Sequence, residues 1–481
     1  MTTDRRAAQC APATDGEKGT RAMITAIIPA AGEGKRMWPY GVTKNKAYLP
    51  VAARPLICRT VETLKKIGIR EIIVVVGYRR EQIAHAVGAI EGVCLVEQSS
   101  AAPGTATAVL SGWRTTGSNE ALVVYGDCLI AEEDLRALIT AFDEGKPGAA
   151  LLTAKLPEYE RSNDWLCVSP GSGATREVRG HPRNGSHRIA GAFCFDRRFF
   201  SCLERNPGVM HGIEVGMMSP TLCELGESVN VAIQDGMEVA AVEAKHHCVD
   251  LDKPWHIMEA NERYLNYAAE RVEKSIIPAS AKIHDSAEID GKIILGENVV
   301  IGKNVRLGDC VWVGDGSRIT EGAMVDGRTA IGRGCTVKRY CQISGGTSLG
   351  DECYAGHCTE VDGVMFRKSY AYHYGEYWGV IGQNTDLGAA TVCGTLRFDD
   401  LDTQHIIAGH KEALHPAGNA SFLGDYCRTG VNVILLPGVK VGPYSVIGPG
   451  TILNEDVPDG TCVYVKQELI RKKWGPERYG W

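Results

Sequence analysis

The sequence predicts two domains of different architecture: an α/β doubly wound domain followed by a left-handed parallel β-helix. Three observations carry this expectation. The chain has 481 residues, more than one compact core usually holds. Up to about residue 268, short β-branched runs alternate with helical stretches, the grammar of a parallel sheet covered by helices. From Ile283 onward an aliphatic residue returns every six positions, a period that belongs to hexapeptide-repeat coils rather than to a helix or a simple strand.

The elements follow in order. Residues 1–22 lack the apolar central block of a signal peptide and are expected to form a disordered tail. Within 23–268, the runs 24–29, 71–76, 121–125 and 150–154 read as buried parallel strands, and 56–67, 81–87 and 132–142 as helices. Such a sheet takes its ligand at the carboxyl ends of its strands. A closing helix is expected over 265–274, with 269–279 leading into the second domain. In that domain, 280–465, the aliphatic register runs Ile283, Ile289, Leu295, Ile301, Leu307, Val313, Ile319, Val325, Ile331, Val337, Ile343, Leu349. It returns at Leu423, Leu435, Val441, Ile447 and Leu453, with Thr429 off type. Each hexapeptide would form one face of a triangular coil, its aliphatic residue filling the interior. Residues 362–379 break the register and are expected to project as an insertion. The segment 466–481 ends in "RKKWGPERYGW", whose two tryptophans suggest a docking tail.

Composition narrows the function classes. A net charge of -6 argues against a general nucleic-acid surface. No apolar run approaches the roughly 18 residues of a membrane span. The 17 cysteines include no CxxC pair and read as reduced thiols, many of them small core residues. A cytoplasmic protein is expected.

The chemistry concentrates in "AAGEGKRMWPYGVTKNKAYLP", residues 30–50. A strand, then Gly32-x-Gly34, then a helix presents backbone N–H groups to phosphates. Met37 stands where a dinucleotide fingerprint needs its third glycine, and the G-K-[ST] of a P-loop is absent. Arg36 offers a rigid fork for phosphate oxygens and Lys46 a point charge. Asp127 ends an apolar strand, where a carboxylate needs a cation or hydrogen-bond partner; it reads as a metal ligand or as the cap of the next helix. Asp250 in "DLDKP" reads as a second carboxylate of the same kind or as a turn, with Asp252 a nearby alternative.

These stretches resemble the sugar-1-phosphate nucleotidyltransferases, whose signature runs AAGxGTRMxP…PKxLLPV; here Lys35 and Asn45 replace its usual threonine and proline. "VEQSSAAPGTATAV" is similar to the family's base-reading segment, "VVYGDCLI" to the strand ending in its metal-binding aspartate, and "CVDLDKPWHIMEANERYL" to its closing D-x-[DG]-T-P-x-x-L-x-x-A-N. The resemblance implies nucleotide binding by Ala31, Gly32, Gly34, Gln98, Gly104 and Thr105. It implies catalysis by Arg36 and Lys46, and Mg²⁺ on Asp127 and Asp250. Gly191 and His181 would lie at the sugar, although Gly180-His181-Pro182 lacks the glutamate of the family's E-K-P triplet. The substrates would be a nucleoside triphosphate, UTP or dTTP favoured, and a sugar 1-phosphate.

The order of the two domains resembles the archaeal-type bifunctional uridylyltransferase/acetyltransferases, because "DLGAATVCGTLRFDD" is similar to their GAGTxxANLRFDD. That likeness implies acetyl-CoA as a second co-substrate and His373 as the base on a sugar amine. Tyr377 would be its neighbour and His357 a rival base. Thr395 stands where the family carries asparagine. Coils with exposed faces predict a homotrimer. Two other readings stay open: an inactive regulatory or scaffold subunit of the same fold, and an enzyme of acyl transfer alone.

Overall fold

The computed structural model describes residues 24–98, 103–170, 174–210, 221–407 and 409–475; the expected tail 1–22 and the last residues of the tail 466–481 lie outside them. The first domain is built on a nine-stranded sheet. Its centre is parallel: Thr25–Ala30 lies between Ile72–Val76 and Glu120–Val124, and Val93–Glu97 extends the parallel edge. These strands are continuous apolar runs because helices cover both faces. The helices Leu56–Lys66, Arg80–Val87 and Glu132–Gly145 stand where the 3.6-residue spacing puts them.

The sheet is mixed, yet residues 150–154 keep the expected direction: Ala149–Lys155 runs the same way as the central strands and pairs parallel with Val239–Glu243. The long strand His187–Asp196 runs antiparallel to both Glu120–Val124 and Ala149–Lys155. An apolar run does not encode the direction of its partner. The closing helix is His256–Ala269 rather than 265–274. It starts two residues after Pro254, which cannot continue a preceding helix but fits a first turn.

In the second domain, coils of 18 residues stack in parallel register, Val300 beside Arg318, Thr336 and Tyr354 in succession. The six-residue register is the interior: Ile301, Leu307, Val313, Ile319, Val325, Val337, Ile343, Leu349 and their later counterparts form one buried column.

Residues 362–379 do not project. They belong to strands Glu360–Met365 and Glu376–Ile381, which pair in register from Glu360↔Glu376 to Met365↔Ile381. These two coils are shortened to 16 residues, because each strand passes through a corner at Gly363 or Gly379, at φ 124 and 143. The excursion instead spans 394–420, since Val392 pairs with Ile434 and Gly379 with Ser421. The hexapeptide count alone places a gap in the register but not which residues leave the wall.

The domains share a core. Met37, Tyr40, Leu251, Trp255 and Ile257 from the first domain pack with Phe366, Val380, Ile407 and Phe422 from the second. Tyr40 donates its hydroxyl to the Val380 carbonyl at 2.7 Å, and Asn261 accepts from both Ala52 N and Ser348 Oγ at 2.7 Å.

Candidate active site

The turn after strand Thr25–Ala30 brings the cations and carboxylates together. Gly34 sits at φ 65, and a Cβ there would lie 2.7 Å from Lys46 Cγ; around a Cβ at Gly32 nothing lies within 4 Å. The turn thus leaves backbone open on one side and seats the Lys46 stem on the other. Asn45 fixes the second half of the loop. Its Nδ2 donates to the Ala30 and Tyr78 carbonyls at 2.8 Å, and its Oδ1 accepts from Ala47 N at 2.9 Å.

Lys46 Nζ then reaches Asp252 Oδ1 at 3.0 Å and Asp127 Oδ2 at 3.5 Å. Arg36, exposed on the rim, meets the same Asp252 Oδ1 at 3.0 Å. Burial opposes the charge of Lys46, but Asp252, Asp127 and Asp250 outweigh it and raise its pKa.

The two carboxylates predicted to hold metal are neighbours by register. Cys128–Ile130 pairs antiparallel with Cys248–Asp250, setting Asp250 opposite Cys128, and Leu251 N donates to the Asp127 carbonyl at 2.9 Å. Ligand atoms of Asp127, Cys128 and Asp250 lie within 4.8 Å of one another. Asp250 Oδ1 is buried without a hydrogen-bond partner. Burial, and next the charge of Asp127, push the Asp250 carboxyl up to about 7. An orphaned buried oxygen facing a second carboxylate suits a hard divalent cation that takes one or two carboxylates and fills its shell with water and phosphate. Asp252 differs: burial works against its charge, yet Lys46, Lys253 and Arg36 hold it well below the usual carboxylate range. It is the hub of the cations.

The other sequence-predicted residues fall around this cluster. Ala31 carries the turn, and its carbonyl accepts from Tyr78 N. Gln98 follows the strand Val93–Glu97 and donates to the Gly104 carbonyl and Thr107 Oγ1 at 3.0 and 3.1 Å. Gly104, at φ 130, precedes helix Thr105–Trp113; Thr105 Oγ1 donates to Glu224 at 2.8 Å. Gly191, at φ 73, lies against Cys128, since a Cβ there would sit 2.5 Å from its Sγ. His181 is not drawn in. It is exposed at the end of edge strand Thr175–Gly180, its Nδ1 3.1 Å from the Asn163 carbonyl.

In the β-helix, His373 and His357 meet Nδ1 to Nδ1 at 2.9 Å. Tyr374, not Tyr377, joins them, its ring 4.9 Å from that of His357. Tyr377 occupies an interior position of the coil and is buried, its hydroxyl without a partner. Two-residue alternation sends Glu376 out and Tyr377 in. Thr395 is half-buried at the start of the excursion.

A profile described as the MobA-like NTP transferase domain matches residues 26–208, and one described as the GMPPB C-terminal domain matches 271–368. The bifunctional sugar-1-phosphate nucleotidylyltransferase/acetyltransferase of Sulfurisphaera tokodaii is 26% identical over 441 residues, covering 91% of this chain and 99% of that protein. The bifunctional protein GlmU of Methanocaldococcus jannaschii is 28% identical over 455 residues, covering 94% and 100%. The chain is a homologue of these bifunctional enzymes. The likeness to the two relatives covers more than nine-tenths of this chain; the profile matches take in Arg36, Lys46, Asp127 and His357 but not Asp252 or His373. Sequence reasoning missed Asn45, treated only as a departure from the signature, and Lys44, whose ammonium is buried against Asp425 of the β-helix. Nothing in the local pattern marks either, because their partners are remote in sequence.

Proposed function

We propose that this chain transfers a nucleoside monophosphate from a nucleoside triphosphate, UTP or dTTP, to a sugar 1-phosphate, releasing pyrophosphate. The observation that carries the reading is the convergence of Arg36, Lys46, Asp127, Asp250 and Asp252 beside the open Gly32 turn. A phosphate oxygen of the sugar 1-phosphate forms a bond to the α-phosphorus, and the bond from that phosphorus to the β-phosphate's bridging oxygen breaks. The attacking group is already an anion, so no proton has to be removed; catalysis rests on position and charge. Asp127 and Asp250 would hold Mg²⁺, which supplies charge neutralisation at the phosphates. Arg36 turns from Asp252 to the incoming triphosphate, and Lys46 neutralises the charge that develops at the reacting phosphoryl group. A scaffold subunit has no need of this complete cation and carboxylate set.

The test is pyrophosphate release across a grid of nucleoside triphosphates and sugar 1-phosphates. We expect one pair to give turnover and Arg36→Ala to slow it by about 10²–10³, the cost of losing one transition-state donor. Turnover unchanged in that variant contradicts the reading.

A second activity is favoured by the paired imidazoles. One neutral histidine whose ring nitrogen is hydrogen-bonded to another suits a general base on a sugar amine, with acetyl-CoA as donor and a homotrimer bringing coils together. Release of free coenzyme A from acetyl-CoA and glucosamine 1-phosphate should fall at least about 10²-fold in His373→Ala, while pyrophosphate release stays as in the parent. Equal rates in parent and variant would assign the β-helix to assembly alone.

A further inference from the structure

The excursion 394–420 leaves the β-helix wall and reaches the transferase cluster. Its hairpin, Ile406–Ile407 with His410–Lys411, ends at Glu412, which is buried. Glu412 Oε2 meets Lys253 Nζ at 3.1 Å, and the same ammonium meets Asp252 Oδ2 at 2.9 Å. The hairpin is anchored on both sides. Glu412 N donates to the His405 carbonyl at 2.9 Å, the His405 ring stacks on Trp255 at 4.7 Å, and Lys440 Nζ donates to His405 Nδ1 at 2.9 Å. Arg161 Nη2 donates to the Lys411 carbonyl at 3.0 Å from the first domain.

Two features give this contact a chemical meaning. Asp252 divides its oxygens: Oδ1 takes Arg36 and Lys46, and Oδ2 takes Lys253. The cations therefore fall into two sets on opposite oxygens of one carboxylate. An in-line displacement needs positive charge on two sides, one for the departing pyrophosphate and one for the attacking phosphate. The second feature is what else is available. His181 is exposed on an edge strand, and the buried Arg188 gives its Nη groups to the Ile189 and Cys248 carbonyls while its Nε, without a hydrogen bond, lies 4.0 Å from Glu160 Oε2. An ammonium has three donors; the carboxylates of Asp252 and Glu412 take two of them.

We propose that Lys253 is the cation that receives the phosphate of the sugar 1-phosphate. Glu412 of the β-helix is its positioning residue, so the acceptor subsite is completed across the two domains. This rests on the transferase reading above. Glu412 holds the ammonium at the edge of the cluster. Without it, Lys253 collapses onto Asp252, its remaining carboxylate partner among the described residues.

The test is steady-state pyrophosphate release by the full-length protein with UTP or dTTP and either glucose 1-phosphate or N-acetylglucosamine 1-phosphate. Binding of the triphosphate alone, measured by calorimetry, shows that each variant keeps a folded nucleotide site. Lys253→Met should raise the KM for the sugar 1-phosphate at least about tenfold, leaving the triphosphate KM within about twofold, because a charge-assisted contact to one substrate is lost. Lys253→Arg should stay within about threefold of the parent, since the charge is kept. Glu412→Gln should raise the same KM about three- to tenfold, and should add nothing in the Lys253→Met background, as expected of residues acting through one another. A sugar-phosphate KM unmoved by Lys253→Met, equal shifts in both KM values, or additive effects of the two changes would each overturn the proposal while the transferase reading stands. Absence of pyrophosphate release from the parent with every pair overturns both.

Discussion

At the scale of single residues, the site is held by polar atoms whose partners are backbone. Asn45 is the clearest case: fully buried, it satisfies two carbonyls and one N–H at the turn that carries Lys46. The relatives' signature, as the sequence resemblance gives it, has proline there, which fixes the backbone by covalent geometry instead. Asn45→Ala strands the Ala30 and Tyr78 carbonyls in the interior, at about 1–3 kcal/mol each when nothing replaces the donor. We expect urea unfolding to show a loss of about 2–4 kcal/mol, with a rise in the triphosphate KM as the Lys46 turn loosens. A variant as stable as the parent would mean that water restores both bonds. Asp252 and Asp250 make the companion point. Two residues apart, one is held ionised by three cations and the other pushed toward protonation by burial and Asp127. Spacing in "DLDKP" does not distinguish them; side-chain surroundings do.

At the scale of elements, the β-helix shows how a periodic wall absorbs a change of period. The coils drop from 18 to 16 residues where Gly363 and Gly379 carry straight strands through a corner. A Cβ at Gly379 would sit 2.0 Å from the Ser421 carbonyl oxygen, and its φ is 143. That conformation is close to glycine-only, and an alanine adds both strain and a clash with backbone. Gly379→Ala should therefore cost at least about 2 kcal/mol, taken from the 1–3 kcal/mol typical of such strain, and lower the thermal midpoint in calorimetry. Gly316, at φ 69 with open space around it, is the control: alanine there meets strain without a clash and should cost less. The aliphatic register on either side was legible in the sequence because each interior position repeats one local rule. The two shortened coils were not, since glycine at a corner and glycine in a loop look alike until the neighbouring coil is in place.

At the scale of the whole molecule, the domains are joined by a shared core and by charges buried between them. Lys44 and Asp425 face each other across the boundary, and Thr43 adds a hydrogen bond to Asp425 at 2.6 Å. Removing one partner of such a pair is costlier than removing both, because it leaves a buried charge alone. Buried imidazoles sit near the same boundary. Burial holds His256 down to about 3 and His405 to about 4, and holds His247, within the first domain, to about 4. Each stays neutral in the folded state while its unfolded counterpart, near 6.5, takes up a proton. Stability is therefore lost as pH falls below about 6.5. The Asp250 carboxyl, raised to about 7, works in the opposite direction near pH 6, one group against three. The net is about two protons, or roughly 2–3 kcal/mol per pH unit below about pH 6. Urea midpoints measured between pH 7.5 and 5.5 should fall accordingly; a flat profile would show that these rings titrate freely in the folded protein.

No helix among the described residues is long and apolar enough to cross a membrane. The sequence by itself determined what depends on short-range rules. These are the parallel strands at the sheet's centre, the coil interior repeated every six residues, and the glycine turn with Arg36 and Lys46. Each is written within a window of a few residues, where periodicity and φ preferences act. Tertiary structure decided that the antiparallel strand His187–Asp196 enters the sheet between Glu120–Val124 and Ala149–Lys155, and which of Asp250 and Asp252 serves the cations. It also decided that residues 394–420, not 362–379, leave the coil, and that they place Glu412 beside Lys253. These depend on pairings between residues far apart in the chain, whose energies come from burial and charge and leave no local period to read.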